Sequence, residues 1–123
     1  MKNYKEELSK LNTGIEKANK LIDITNMQAR LLIIELLREH NNEIIIPKDD
    51  LIFPNTLEGM FFDTLVGLRL ENNTLYCYAF DLNEGVNCGY QYALNNPIEC
   101  NTMFKSCNYI IILNLLEYYG IIK

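Results

Sequence analysis

The stretch RLENNTLYCYAFDLNEGVNCGYQY, residues 69–92, decides how the rest of the chain is read. Asn72-Asn73 suits a two-residue hairpin turn, because asparagine accepts the positive φ that such turns require. That turn sets Leu70 opposite Leu75, Leu68 opposite Cys77 and Val66 opposite Ala79, giving a wholly apolar face. On the reverse side Arg69 meets Tyr76, Gly67 meets Tyr78 and Leu65 meets Phe80. A second turn, Asn83-Glu84-Gly85, fits a three-residue hairpin with glycine in the left-handed position. It pairs Leu82 with Val86, Phe80 with Cys88, Tyr78 with Tyr90 and Tyr76 with Tyr92, all on that reverse side. The expectation is an antiparallel meander with one aliphatic and one aromatic face, in a register that a one-residue slip would invert.

A sheet with one face in water alternates apolar and polar residues, so a meander apolar on both sides needs two covers or a partner. Two helical segments, or one helix plus residues 48–63, would supply the covers. Alternatively Tyr76, Tyr78, Phe80, Tyr90 and Tyr92 form a partly exposed contact surface with their hydroxyls in water. With Arg69 beside Tyr76, these six residues are the candidate partner- or ligand-binding site.

Upstream, Leu8, Leu11, Ile15, Ala18, Ile22, Thr25, Ala29, Leu32 and Leu36 recur every three or four residues, a heptad-compatible helical seam. A second stripe, Leu21, Ile24, Gln28, Leu31 and Ile34, predicts deeper burial for residues 26–40 than for 3–20. Two helices or one bent helix fit, with Thr25-Asn26 as a cap where the chain restarts. The helical region, 1–41, should end at His40-Asn41-Asn42, where asparagines favour a left-handed turn. The β-branched run Glu43-Ile44-Ile45-Ile46-Pro47 suits an edge strand. Residues 48–63 are irregular yet too apolar for a free loop. After Pro97, a helix is predicted within 102–120, capped by Thr102 and stopped by Gly120, with Phe104, Cys107, Ile111, Leu115 and Tyr118 as its stripe. Residues 109–113 alone would also suit a strand.

At 123 residues with 49% apolar composition, the chain fits one domain, 1–123, with a sheet over 43–95. No apolar run reaches the roughly 18 to 20 residues that span a bilayer, and the charged start MKNYKEELSKLN is unlike a signal peptide, so a cytoplasmic, non-membrane protein is expected. The net charge of −5 is uneven: residues 43–99 carry two Lys/Arg against nine Asp/Glu. Clustered cations are what displace counterions from phosphate, so direct nucleic-acid binding is not expected.

Catalytic and metal chemistry find little support. Cys77, Cys88, Cys100 and Cys107 are eleven, twelve and seven positions apart with no Cys-x-x-Cys pair, and His40 is the single histidine. The cysteines read as free thiols acting as small hydrophobes, with Cys100 the most exposed. His40 reads as capping helical carbonyls. Asp49-Asp50 reads as a solvated turn, Gly85 to Gly89 lacks the lysine of a phosphate loop, and neither Ser9 nor Ser106 sits in a nucleophile elbow. No catalytic residue, metal ligand or cofactor is therefore expected.

The expectation is an α+β fold: an N-terminal helical region, an antiparallel meander of about four strands and a C-terminal helix. The expected function is a small non-enzymatic interaction or regulatory protein, a homo-oligomer that binds a protein partner through its acidic, tyrosine-rich surface. Richness in Ile, Asn, Lys and Tyr suits an AT-rich genome and a mobile-element gene. A sharper version is then an inhibitor whose carboxylates imitate phosphate in a basic nucleic-acid-handling enzyme. The alternative is a small-ligand binder or enzyme with a pocket lined by Tyr76, Tyr78, Tyr90 and Tyr92.

Overall fold

Asn3 starts the first helix, its Oδ1 accepting the amide N–H of Glu6 at 3.0 Å and so satisfying one of the donors a helix start leaves open. The computed structural model describes residues 3–17, 22–52, 64–81, 83, 85–100 and 109–123. Helix α1, Tyr4–Lys17, has Glu6 and Glu7 in its first turn, where carboxylates favour the helix dipole. It buries Tyr4, Leu8 and Leu11. Helix α2, Ile22–Glu39, passes through Thr25-Asn26 without restarting there, and Asn26 is buried. The N-terminal region is thus two helices.

Leu8, Leu11, Ala29, Leu32 and Leu36 of the predicted seam are buried, whereas Ile15, Ala18, Ile22 and Thr25 fall where side chains are not described. The second stripe is corrected in part: Ile34 is buried as expected and Leu21 and Ile24 fall where side chains are not described, but Gln28 and Leu31 face solvent, and Ile33 and Leu37, both fully buried, widen the apolar face instead. Tyr4, at the start of α1, hydrogen-bonds Glu39 at the end of α2, so the two helices run antiparallel.

Helix α2 ends as its asparagines predict. Asn41 and Asn42 take φ of 58° and 68°, and the N–H of Asn42 reaches back to Leu37 O at 2.7 Å, closing a Schellman turn. His40 Nδ1 lies 2.9 Å from Leu36 O, the expected carbonyl cap. The reversal feeds β1, Glu43–Ile45, which pairs with β2, Thr64–Glu71. A one-turn 3₁₀ helix over Lys48–Asp50 leaves Asp49 and Asp50 exposed and Leu51 buried; residues 53–63, including most of the predicted irregular segment, lie outside the described residues.

Strands β2 and β3, Thr74–Phe80, form the predicted hairpin around Asn72-Asn73, whose φ values of 50° and 65° are those of a type I′ turn. Leu70↔Leu75, Arg69↔Tyr76, Leu68↔Cys77 and Gly67↔Tyr78 pair as read from the sequence, and Glu71↔Thr74 closes the ladder at the turn. Beyond Gly67 a bulge shifts the register, so Leu65 faces Ala79 and Thr64 faces Phe80, correcting the expected Val66–Ala79 and Leu65–Phe80 pairs. The extra residue turns Val66 to the opposite side, where it is fully buried.

The larger correction concerns residues 86–92. They do not return as a third long strand: Val86–Asn95 is helix α3, entered through Gly85 at φ 78°. The fourth strand is β4, Ile98–Glu99, paired to β3 at Tyr76↔Glu99 and Cys77↔Ile98. The sheet is an antiparallel meander in the order β1-β2-β3-β4, and the fold is α+β.

Helix α4, Tyr109–Tyr118, settles the ambiguous run 109–113 as helix. Gly120 stops it at φ 80°, with Ile121 N–H on Leu116 O at 2.9 Å and Gly120 N–H on Glu117 O at 3.0 Å. Its buried face is Tyr109, Ile110, Ile112, Leu113 and Leu116. The predicted stripe is therefore on the wrong side, since Ile111 and Leu115 are half-buried and Tyr118 is exposed. Thr102, Phe104 and Cys107 lie outside the described residues.

The sheet is covered twice. On one face Ile44, Leu65, Leu68, Leu70, Leu75, Cys77 and Ala79 pack with α1, α2 and α4. On the other, Val66, Tyr78 and Phe80 pack with Ile46, Leu51 and, from α3, Ala93, Tyr90 and Leu94. An added Cβ on Gly89 would run into the fully buried ring of Phe80, which has nowhere to retreat.

Two outcomes are expected. Alanine in an exposed helix gains about 1 kcal/mol over glycine, but the clash with Phe80 should reverse that sign, and Gly89→Ala should lower stability by about 1 to 3 kcal/mol in urea titration. The Tyr4 hydroxyl is pushed up to about 12 by burial and by its bond to Glu39. A phenol held neutral in the fold contributes stability fully below its ordinary pKa of 10.0 and loses it as pH rises through about 12. Stability at alkaline pH should therefore fall more steeply in the parent chain than in Tyr4→Phe, measured by urea titrations between those limits.

Candidate functional site: the open half of the second sheet face

Strand pairing places one row of side chains across all four strands. Glu43 of β1 lies opposite Arg69 of β2, Arg69 opposite Tyr76 of β3, and Tyr76 opposite Glu99 of β4. Partners directly opposite share a face, and Glu71, two residues from Arg69 on β2, shares it too. This is the face that α3 covers at its other end, over Phe80. The row itself stays open to different degrees: Glu43 and Glu71 are exposed, while Arg69, Tyr76 and Glu99 are half-buried.

A hydrogen-bonded chain holds the row in place. The Arg69 guanidinium contacts Glu71 Oε2 at 2.7 Å and hydrogen-bonds the Tyr78 hydroxyl. Tyr78 in turn donates to Glu43 Oε2 at 2.7 Å. Tyr78 can reach Glu43 because it crosses Gly67: a Cβ there would come within 2.5 Å of Ile44 O and 3.1 Å of the Tyr78 ring. Burial first, and then the bond to Glu43, raise the Tyr78 pKa, with Arg69 opposing. Arg69 is held still more firmly protonated by its bond to Tyr78 and by Glu71. The site gathers three glutamates, one guanidinium and the Tyr76 ring on a hydrogen-bonded sheet.

The six residues read from the sequence are not brought together. Arg69 and Tyr76 are in the row. Tyr78 and Phe80 are interior, at 3% and 1% exposure, and Tyr78 shows only its hydroxyl to the row. Tyr90 is on α3, half-buried, its hydroxyl donating to Ile46 O at 2.8 Å, and burial raises its pKa. Tyr92 is on the outer side of α3, 52% exposed. The aromatic face dissolves because Tyr90 and Tyr92 point in different directions from a helix, where a strand would have aligned them. Glu43, Glu71 and Glu99 were missed as members, although their sign was visible in the acidic middle segment.

Among the described residues, no group of three or more His, Cys, Asp or Glu side chains is placed to hold a metal ion. Cys88 is exposed on α3, and Cys100, expected to be the most exposed cysteine, is buried at 1%. A shallow polar depression of about 740 Å³ runs along α1 past Asn3, Ser9, Asn12 and Glu117, and a second, of about 410 Å³, lies between α1 and α2; no tyrosine lines either. Among the described residues no helix is long and apolar enough to cross a membrane. Comparison with protein-family models, with curated proteins and with solved structures finds no match.

Proposed function

We propose that this chain is a non-enzymatic, cytoplasmic interaction protein that offers the acidic row of its sheet to a cationic surface of a protein partner. The observation that carries this reading is the cross-strand row itself, with Glu43, Glu71 and Glu99 gathered about Arg69 and Tyr76. Strands lie about 4.8 Å apart, so the carboxylates are spread over three such steps on a stiff support. Rigid, pre-positioned charges lose little entropy on binding and steer a basic partner electrostatically. The sharper version keeps the same surface: an inhibitor, carried by a mobile element, whose carboxylates stand in for phosphates in the groove of a nucleic-acid-handling enzyme. The pocket alternative loses support, since the hydroxyls of Tyr78 and Tyr90 are engaged by Glu43 and Ile46.

Self-association is the second part of the reading. Met27 and Leu31, one turn apart on the outer side of α2, are 68% and 58% exposed beside the groove that Leu11 and Leu32 floor and Glu7, Lys10 and Glu35 rim.

Isothermal titration of a lysine-rich peptide, and then of basic nucleic-acid-handling enzymes, tests the first part. Binding should weaken steeply with added salt, and Glu71→Gln/Glu99→Gln should weaken it about tenfold at low salt without lowering Tm. Salt-independent binding, or none, removes the reading. Native mass spectrometry tests the second: an integer multiple of the 14.3 kDa chain should revert to monomer in Leu31→Glu, whereas a monomeric parent chain rules self-association out.

A further inference from the structure

Cys77 and Cys100 lie deep in the larger core, at 0% and 1% exposure, with their sulfurs 2.8 Å apart. The ladder explains the meeting. Cys77 is opposite Ile98 and Tyr76 opposite Glu99, so Cys100, one residue further on, stands diagonally across from Cys77, and both thiols join the same apolar cluster. The two sulfurs are already inside van der Waals contact, so closing them to a disulfide bond of about 2.0 Å needs a movement of less than roughly 1 Å.

We propose that Cys77 and Cys100 are a redox pair that closes to an intramolecular disulfide, clamping β4 onto β3. The oxidant is a small-molecule disulfide such as oxidised glutathione. One thiol loses its proton and attacks a sulfur of the oxidant, breaking its S–S bond and releasing one glutathione thiolate. The second cysteine, deprotonated in turn, attacks the mixed disulfide at the protein sulfur, forming the Cys77–Cys100 bond and releasing the second glutathione. Two electrons pass to the oxidant, and the two protons end on the released thiols. The hydrogen bond with Cys100, and then burial, push the Cys77 thiol well up, so exchange from the closed state is slow. Access comes through opening of β4, an edge strand of only two residues.

The clamp has structural reach. The segment from 77 to 100 contains the end of β3, all of α3 and β4, so one bond ties down the cover of the second sheet face. Constraining a loop of this length should raise Tm by on the order of 10 °C in a domain of this size. This inference does not depend on the acidic row binding anything.

The test is to equilibrate the reduced full-length chain with oxidised glutathione, digest it without reduction and map the linked peptides by mass spectrometry. A Cys77–Cys100 peptide, with a Tm rise that dithiothreitol reverses, is expected, and Cys88→Ala, which removes the exposed thiol, should leave both unchanged. The proposal is overturned if Cys77 and Cys100 remain alkylatable on denaturation, or if either pairs with Cys88 or Cys107 instead. A linked peptide without any Tm rise removes the clamp. Cys100→Ala, if folded, should lose the Tm response; were it not to fold, the mapped parent chain decides.

Discussion

Phe80 rests against the bare backbone of Gly89, and the second layer of the protein depends on that contact. A sheet whose strands are apolar on both sides is stable only if each side is closed. Three helices close one side. On the other, Ile46 and Leu51 pack alongside the residues between β3 and β4, which form α3. The helix must pass close enough for Ala93, Tyr90 and Leu94 to reach Val66, Tyr78 and Phe80. Any side chain at residue 89 larger than hydrogen would hold it off. The close approach is what converts Tyr78 and Phe80 from a surface into a core.

The bulge in β2 works to the same end from the opposite strand. Side chains alternate between sheet faces with period two, so one inserted residue reverses the assignment of everything beyond it. Without it, Leu65 would share the face of Phe80, and Val66 that of Ala79. With it, the smaller valine goes under α3, while Leu65 joins the larger core. The half of the sheet before the bulge keeps its alternation, which holds Arg69 and Glu71 on the side that α3 leaves open. A single irregularity thus separates a closed half from an open half of the same face.

How much of this was legible in the sequence follows from which signals are local. Asparagine pairs at 41–42 and 72–73 and Gly120 declare their turns through backbone preference alone, and the structure has a positive φ at each. The 3.6-residue spacing of α1 and α2 was equally plain. VNCGYQYALN was not, because Val86, Cys88, Tyr90 and Tyr92 alternate like a strand while Tyr90, Ala93 and Leu94 recur like a helix; only the length of the run and the packing need of the face decide. Helix α4 is apolar all round, so its hydrophobicity could not say which side turns inward. The bulge has no local mark. Of the site, Arg69 and Tyr76 were readable from one hairpin, but Glu43 and Glu99 enter through the register of two very short edge strands, which sequence alone does not specify.

These same short edges decide what the sheet presents. Edge strands of three and two residues expose few unpaired backbone groups, so the sheet offers little to an added strand. What it offers instead is side-chain charge. Carboxylates set on a sheet are cheap to keep in water when they flank a guanidinium, and Arg69 bridges Glu71 and, through Tyr78, Glu43. The ring beneath them is fixed at both ends, by the core at its body and by Glu43 at its hydroxyl. The row therefore inherits its rigidity from the buried layer, and the closed half of the face is what lets the open half hold its charges in fixed positions.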